Sequence, residues 1–144
     1  MKYKVVFFTR TNTSKRVAEK IADKLSCEVV QITDGRNWTG ILGFLKAGYY
    51  SSTNKKVDIK ILGNLDGVDE YIVVAPLWAG GVAPAARALL KTIPMDKVHL
   101  VVVSDGSVYK NRSGYRSIYD ITKKNKNEDL VINDLVKDMH NAKA

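Results

Sequence analysis

The chain has 144 residues, 45% hydrophobic and 26% charged, which suits one domain spanning 1–144 with a substantial core. A single cysteine, Cys27, excludes an intrachain disulfide and a cysteine-based metal cluster. The first apolar run is too short for a signal-peptide core and no stretch is long enough to span a bilayer, so a cytoplasmic protein without membrane insertion is expected. The formal charge of +8 calls for an anionic ligand or partner, but the cations are scattered. Their densest stretch, Lys123, Lys124 and Lys126, lacks interleaved aromatics and reads as a solvated loop, so nucleic acid is not expected.

Along the chain, residues 3–8, 71–75 and 98–103 form short apolar runs rich in β-branched side chains, nearly continuous rather than alternating. Strands buried on both faces of a parallel sheet have that pattern. Residues 27–32 make a fourth strand and 130–132 a short fifth. Between the first two strands, Val17, Ile21 and Leu25 recur every fourth residue among charged neighbours, predicting an amphipathic helix whose first turn Thr13 or Ser14 can cap. Pro84 opens a second helix through Leu90, and Pro94 stops it. Further helices are expected at 39–50, 114–122 and 133–140. Within 34–52, Asn37-Trp38 and residues 43–50 are read as part of a packed helix, with one wall of a pocket as the alternative, and Trp38 as a packing residue. Strand–helix alternation throughout implies an α/β sandwich with a mainly parallel sheet.

Ligands of such sheets sit at the carboxyl ends of the strands, near the switch in strand order. Three loops fall there. Thr9, Arg10, Thr11, Asn12, Thr13 and Ser14 place four hydroxyls and an amide between a buried strand and a helix N-terminus. A phosphate monoester fits that turn, because amides and hydroxyls converge on the positive end of the helix dipole. Neither GxGxxG nor GxxxxGK[ST] is present, which argues against dinucleotides and nucleoside triphosphates. In the second loop, Pro76, Leu77, Trp78, Ala79, Gly80 and Gly81 join a flat aromatic face to a backbone able to approach a ring closely. The third loop holds Ser104, Asp105, Gly106 and Tyr109, with Tyr115 as a reserve aromatic.

Residues 5–18 resemble the flavodoxin signature: an apolar strand, a hydroxyl-rich phosphate turn, then a helix bearing a small residue, Ala18. Asn12 stands where the family usually has Gly, Ala or Cys, and asparagine enters left-handed backbone angles more readily than other non-glycine residues. Ser14 replaces the usual Thr and keeps the hydroxyl. Residues 76–81 are similar to the family's Pro-hydrophobic-Trp-x-Gly segment. The resemblance implies a flavodoxin-like three-layer sandwich, with a five-stranded sheet in the order 2-1-3-4-5 and helices on both faces. It also implies FMN as cofactor. The phosphate would lie on residues 9–14, the isoalloxazine on 76–81, and its other face and pyrimidine edge on 104–106 and Tyr109. The implied role is a one-electron carrier between redox partner proteins, acidic ones given the charge. The alternative is a flavin-dependent oxidoreductase: NAD(P)H:quinone or FMN reductase-like, or protoporphyrinogen oxidase-like. The short chain leaves little material for a substrate lid, whereas the basic surface is unlike that of most flavodoxins.

Other chemistries find no footing. A receiver domain needs an acidic pair after the first strand and a phosphoacceptor Asp after the third, where this chain has residues 9–14 and 76–81. His99 and His140 have no ligand at metal spacing, and no nucleophile-elbow motif occurs. His99 is expected to be a strand-end or satisfied core histidine.

Overall fold

The computed structural model describes residues 2–8, 12–33, 60–78, 81–106, 109 and 114–143. β1 (Tyr3–Phe7) leads through α1 (Thr13–Leu25) to β2 (Glu28–Thr33). Next come β3 (Lys60–Leu62), β4 (Glu70–Trp78), β5 (Gly81–Val82) and α2 (Pro84–Leu90). A 3-10 turn at Met95–Lys97 enters β6 (Val98–Ser104), followed by β7 (Ser117–Thr122) and α3 (Glu128–Lys143). The helix expected at 39–50, with Trp38 before it, lies outside the described residues.

β2, β1, β4, β6 and β7 run parallel in that spatial order, so these five strands follow the expected 2-1-3-4-5 arrangement. The sheet nevertheless has seven strands rather than five. β3 pairs antiparallel with β2 at one edge, and β5 folds back antiparallel on β4. The fifth parallel strand is also not where the sequence suggested. Residues 130–132 belong to α3, and the strand is β7, within the stretch expected to be helical. The physical reason is period. Ile132, Leu135 and Met139 are buried one turn apart along a single helix face. In β7, by contrast, Ile118 packs on one core cluster and Tyr119 and Ile121 on the other, an alternation that only an extended chain supplies.

The apolar runs are continuous because both sheet faces are covered. Val5, Phe7, Ile72, Val74, Val101 and Val103 pack with Val17, Ile21 and Leu25 of α1 and Ile132, Leu135 and Met139 of α3. Their neighbours Val6, Phe8, Val73, Ala75, Leu100 and Val102 pack with Ala85, Ala86 and Leu89 of α2. Helices therefore lie on both faces, making three layers. α1 ends at Ser26, which takes left-handed angles (φ 52°) and directs its N–H back to the carbonyls of Ala22 and Asp23. No described helix is long and apolar enough to cross a membrane.

Polar groups interrupt the core at the amino edge of the sheet. His99 is 4% exposed, with Nε2 2.6 Å from Glu70 Oε1 and Nδ1 2.6 Å from Ser117 Oγ. Tyr3 meets the imidazole edge-on at 6.4 Å. His99 is thus a satisfied core histidine on β6. A buried imidazole nitrogen without a partner carries a desolvation penalty of about 1–3 kcal/mol. Replacing Glu70 with Leu should therefore lower unfolding free energy by roughly that amount in urea titrations. An unchanged midpoint would show that the pair contributes nothing.

Candidate functional site

The site begins where β1 stops. Phe8 N–H still reaches the Val74 carbonyl of β4 at 3.1 Å, and among the described residues β1 pairs no further. β4 continues through Pro76 and Leu77 to Trp78. Backbone groups two residues apart in a strand point to the same side. The Pro76 carbonyl therefore faces the side of β1, and it accepts the Ala83 N–H at 3.0 Å. β5 thus occupies the line that β1 vacates, with Leu77 opposite Val82 and Trp78 opposite Gly81. Proline has no N–H to continue the parallel ladder to the Phe8 carbonyl, so it marks the end of the β1–β4 pairing among the described residues. The segment expected as a loop from 76 to 81 is accordingly a strand extension and hairpin, with Ala79 and Gly80 outside the described residues.

α1 follows β1 at the same carboxyl edge of the sheet. Asn12 takes left-handed angles, φ 68° and ψ 1°, as expected for an asparagine replacing glycine. It is itself the N-cap, where Thr13 or Ser14 was expected. Its carbonyl accepts the Arg16 N–H at 3.0 Å, while its side chain makes no capping hydrogen bond. A left-handed residue running directly into helical ones turns successive amides into a concavity suited to an anion. No acidic residue lies in the first turn of α1 to oppose one. Thr13 is half-buried and Ser14 is buried against the core. Thr9, Arg10 and Thr11 lie outside the described residues.

The third loop reaches the same carboxyl edge. Ser104 is half-buried and in register with Thr122, and Asp105 and Gly106 are exposed beyond it. Tyr109 sits lower, over the α2 face of the sheet, where its N–H donates to Asp120 Oδ1 at 3.3 Å. Asp120 pairs with Val102, two residues before the strand end. Tyr109 and Tyr115 meet edge-on, with centroids 6.4 Å apart, and pack with Leu77 on one core cluster. The two tyrosines are partners here rather than substitutes for each other. Burial raises the Tyr115 pKa, with Tyr109 adding to the shift. Arg87 of α2 lies close enough to feel the Tyr109 phenol, and burial pulls its pKa below the usual guanidinium range. Sequence reasoning missed Asp120 and Arg87, which no motif marks.

The helix that heads the site is held from its flank. Arg16 donates to Glu128 Oε1 at 2.7 Å, and Lys20 Nζ reaches Glu128 Oε2 at 2.7 Å and Asp129 Oδ1 at 3.2 Å. The Arg16 hydrogen bond, aided by Lys20, holds the Glu128 carboxyl below its usual range against the opposing effect of burial. Among the described residues, no group of three His, Cys, Asp or Glu side chains could hold a metal ion.

Several solved structures share this architecture. A flavoprotein from Lactobacillus acidophilus NCFM, crystallised in complex with FMN, superposes with a TM-score of 0.62 at 18% identity, over 90% of this chain and 97% of that one. A Bacteroides eggerthii DSM 20697 protein assigned as a flavoprotein gives a TM-score of 0.66 at 17% identity, with the same coverage of both chains. The fold is that of these flavoproteins. A Bacteroides uniformis ATCC 8492 protein, also assigned as a flavoprotein, matches with a TM-score of 0.66 at 16% identity. No family model matches the sequence, and no curated protein does.

Two outcomes test the local physics. Left-handed angles cost a side-chain-bearing residue about 1–2 kcal/mol, least for Asn. Asn12→Val should lose stability of that order in denaturant titrations, while Asn12→Gly should hold or gain a few tenths of a kcal/mol. A carboxyl with a depressed folded-state pKa stabilises above its unfolded value and loses that contribution as pH falls through the folded one. Glu128→Gln should therefore cost up to about 1 kcal/mol at pH 7, and the gap should close as pH drops below about 4.5. A gap that persisted at pH 3 would remove the ion pair as its cause.

Proposed function

We propose that the chain binds FMN at the carboxyl edge of the sheet and carries single electrons between redox partner proteins. One observation carries the reading: α1, headed by the left-handed Asn12, follows β1 at the same carboxyl edge of the sheet at which β4 runs on into the β4–β5 hairpin. That is a concavity for an anion at the same edge as a platform for a ring. The same fold is crystallised with FMN in the Lactobacillus acidophilus flavoprotein.

The residues present fit such a ligand. In this reading the amides of residues 12–14 take the phosphate dianion, and hydroxyls of Thr9, Thr11, Thr13 and Ser14 supply donors to its oxygens. Charge-assisted hydrogen bonds of this kind are about twice as strong as neutral ones, so they fix the phosphate firmly. Pro76, Leu77 and Trp78, with Ala79, Gly80 and Gly81, form the platform for the isoalloxazine. Ser104, Asp105 and Gly106 border the other side, and Tyr109 lines it from the α2 face. FMN supplies the redox chemistry; the protein binds it, orients it and limits the access of water.

A carrier is favoured over an oxidoreductase because the described carboxyl edge offers no His or Cys to move protons for a substrate. A cytoplasmic location accords with this role. The purified chain should be yellow, with about one FMN released per chain on denaturation, and NAD(P)H alone should leave the flavin oxidised. Trp78→Ala should weaken FMN binding about three- to tenfold, in line with the ~0.5–1.5 kcal/mol of an aromatic stack. Fluorescence titration of the apoprotein measures this. A chain that binds no added FMN refutes the proposal, and bleaching by NAD(P)H at catalytic rates favours the oxidoreductase.

A further inference from the structure

We infer that the loop Lys123–Lys126 is the docking surface for the acidic face of a redox-partner protein. The inference rests on the FMN reading and names the partner class for that site.

The loop is joined to the third site loop rather than merely near it. Lys123 N–H donates to the Ser104 carbonyl at 2.9 Å, and Lys124 N–H to the Asp105 carbonyl at 2.8 Å. These bonds extend the β6–β7 pairing past the end of the sheet. The Lys124 stem lies along Gly106, where an added Cβ would come 3.5 Å from Lys124 Cδ. Ser104, Asp105, Gly106 and the lysine loop therefore move as one unit.

The loop is also held in shape. Asn125 and Lys126 N–H groups return to the carbonyls of Thr122 and Lys123, both at 3.2 Å, and Lys126 takes left-handed angles (φ 50°). Asn127 fastens its base, accepting from Thr122 N–H at 2.8 Å and donating to the Asp120 carbonyl at 3.1 Å. Such ordering cuts the entropy cost of docking.

Three lysines outnumber the one acid of the joined loops, Asp105. Lys123, Lys124 and Lys126 are exposed, and none makes an ion pair with another described residue. The acids that follow in sequence, Glu128 and Asp129, are already taken by Arg16 and Lys20. Three exposed ammonium groups thus project from the edge where an electron would leave. Charge placed there steers an oppositely charged partner to the correct edge and repels basic ones. A protein is the occupant favoured, because the loop, Lys-Lys-Asn-Lys, has neither apolar residues for a bilayer nor aromatics for nucleic-acid bases.

The test uses the full chain loaded with FMN, reduced by dithionite, and mixed in stopped flow with acidic cytochrome b5 or basic cytochrome c. At low ionic strength, electron transfer to cytochrome b5 should be at least about tenfold faster than at 0.3 M salt, because screening removes the attraction. The variant K123E/K124E/K126E should lose about tenfold with cytochrome b5 at low salt and gain with cytochrome c, while FMN affinity stays unchanged. K91E/K97E, with the same kind of charge change at the other edge of the sheet, should stay within about twofold of the parent. Equal cytochrome b5 rates in parent and triple variant overturn the inference, as does an equal loss in K91E/K97E. So does binding of phosphatidylserine vesicles or duplex DNA that the triple variant alone loses, with cytochrome b5 rates intact. A colourless chain refutes the FMN reading itself, and shows before any mixing.

Discussion

The structure depends on a mismatch in strand length at the centre of the sheet. β1 ends its pairing at Phe8, while its neighbour β4 runs on to Trp78. Something must take up the backbone groups that β4 exposes past that point, since unpaired buried carbonyls are costly. β5 does so by folding back onto β4, and the Pro76 carbonyl receives the Ala83 N–H. α1 follows β1 in the chain, with the left-handed Asn12 as its N-cap. The head of a helix and a hairpin thus share the carboxyl edge where ligands of such sheets bind.

The strands that lead to this edge are held in register because both faces of the sheet are filled. Ile72 and Val74 face α1 and α3 while Val73 and Ala75 face α2, and all four are fully buried. A one-residue slip of β4 would exchange the two sets, putting Val and Ile where Val and Ala belong. Volume on the α2 side is limited by Ala85 and Ala86, so the slip would overpack that layer. The register that carries Trp78 beyond β1 is therefore fixed by packing well below the site.

Much of this was legible in the sequence, and the failures have identifiable causes. The central strands announced themselves because burial on both faces leaves no room for polar alternation. Asn12 could be assigned a left-handed backbone because few side chains tolerate one. The hairpin at 76–81 was not legible, since a proline and two glycines read as a loop unless the length of the neighbouring strand is known. β7 was misread because Ser117, Tyr119 and Asp120 mix polar and apolar character in a half-exposed edge strand, all but Ile121 and Thr122 being only half-buried. Leu130, Val131 and Ile132 looked like a strand for the opposite reason. Three apolar residues in a row carry no period, and only Leu135 and Met139 farther along reveal the helix. The anchoring roles of Asp120 and Asn127 depend on contacts between segments distant from any motif, and no local pattern encodes them.

The charges are sorted by edge, and the sorting separates stability from function. At the amino edge the buried charged groups are matched: Glu70 with His99, and Lys4 with the exposed Glu28 and the Asn64 carbonyl. Each satisfies a polar group that the core would otherwise strand, so removing one partner destabilises the fold. At the carboxyl edge, Arg16 and Lys20 absorb the acids of α3 and leave Lys123, Lys124 and Lys126 facing solvent. Exposed like charges add little to stability and repel one another weakly. Their value is the field they project, which reaches about 8 Å at physiological ionic strength before screening halts it. A field of that range extends beyond the surface without constraining the core. Charge is thus matched where burial makes an unpaired group costly, and is left to solvent in the 123–126 loop, where it costs the fold little.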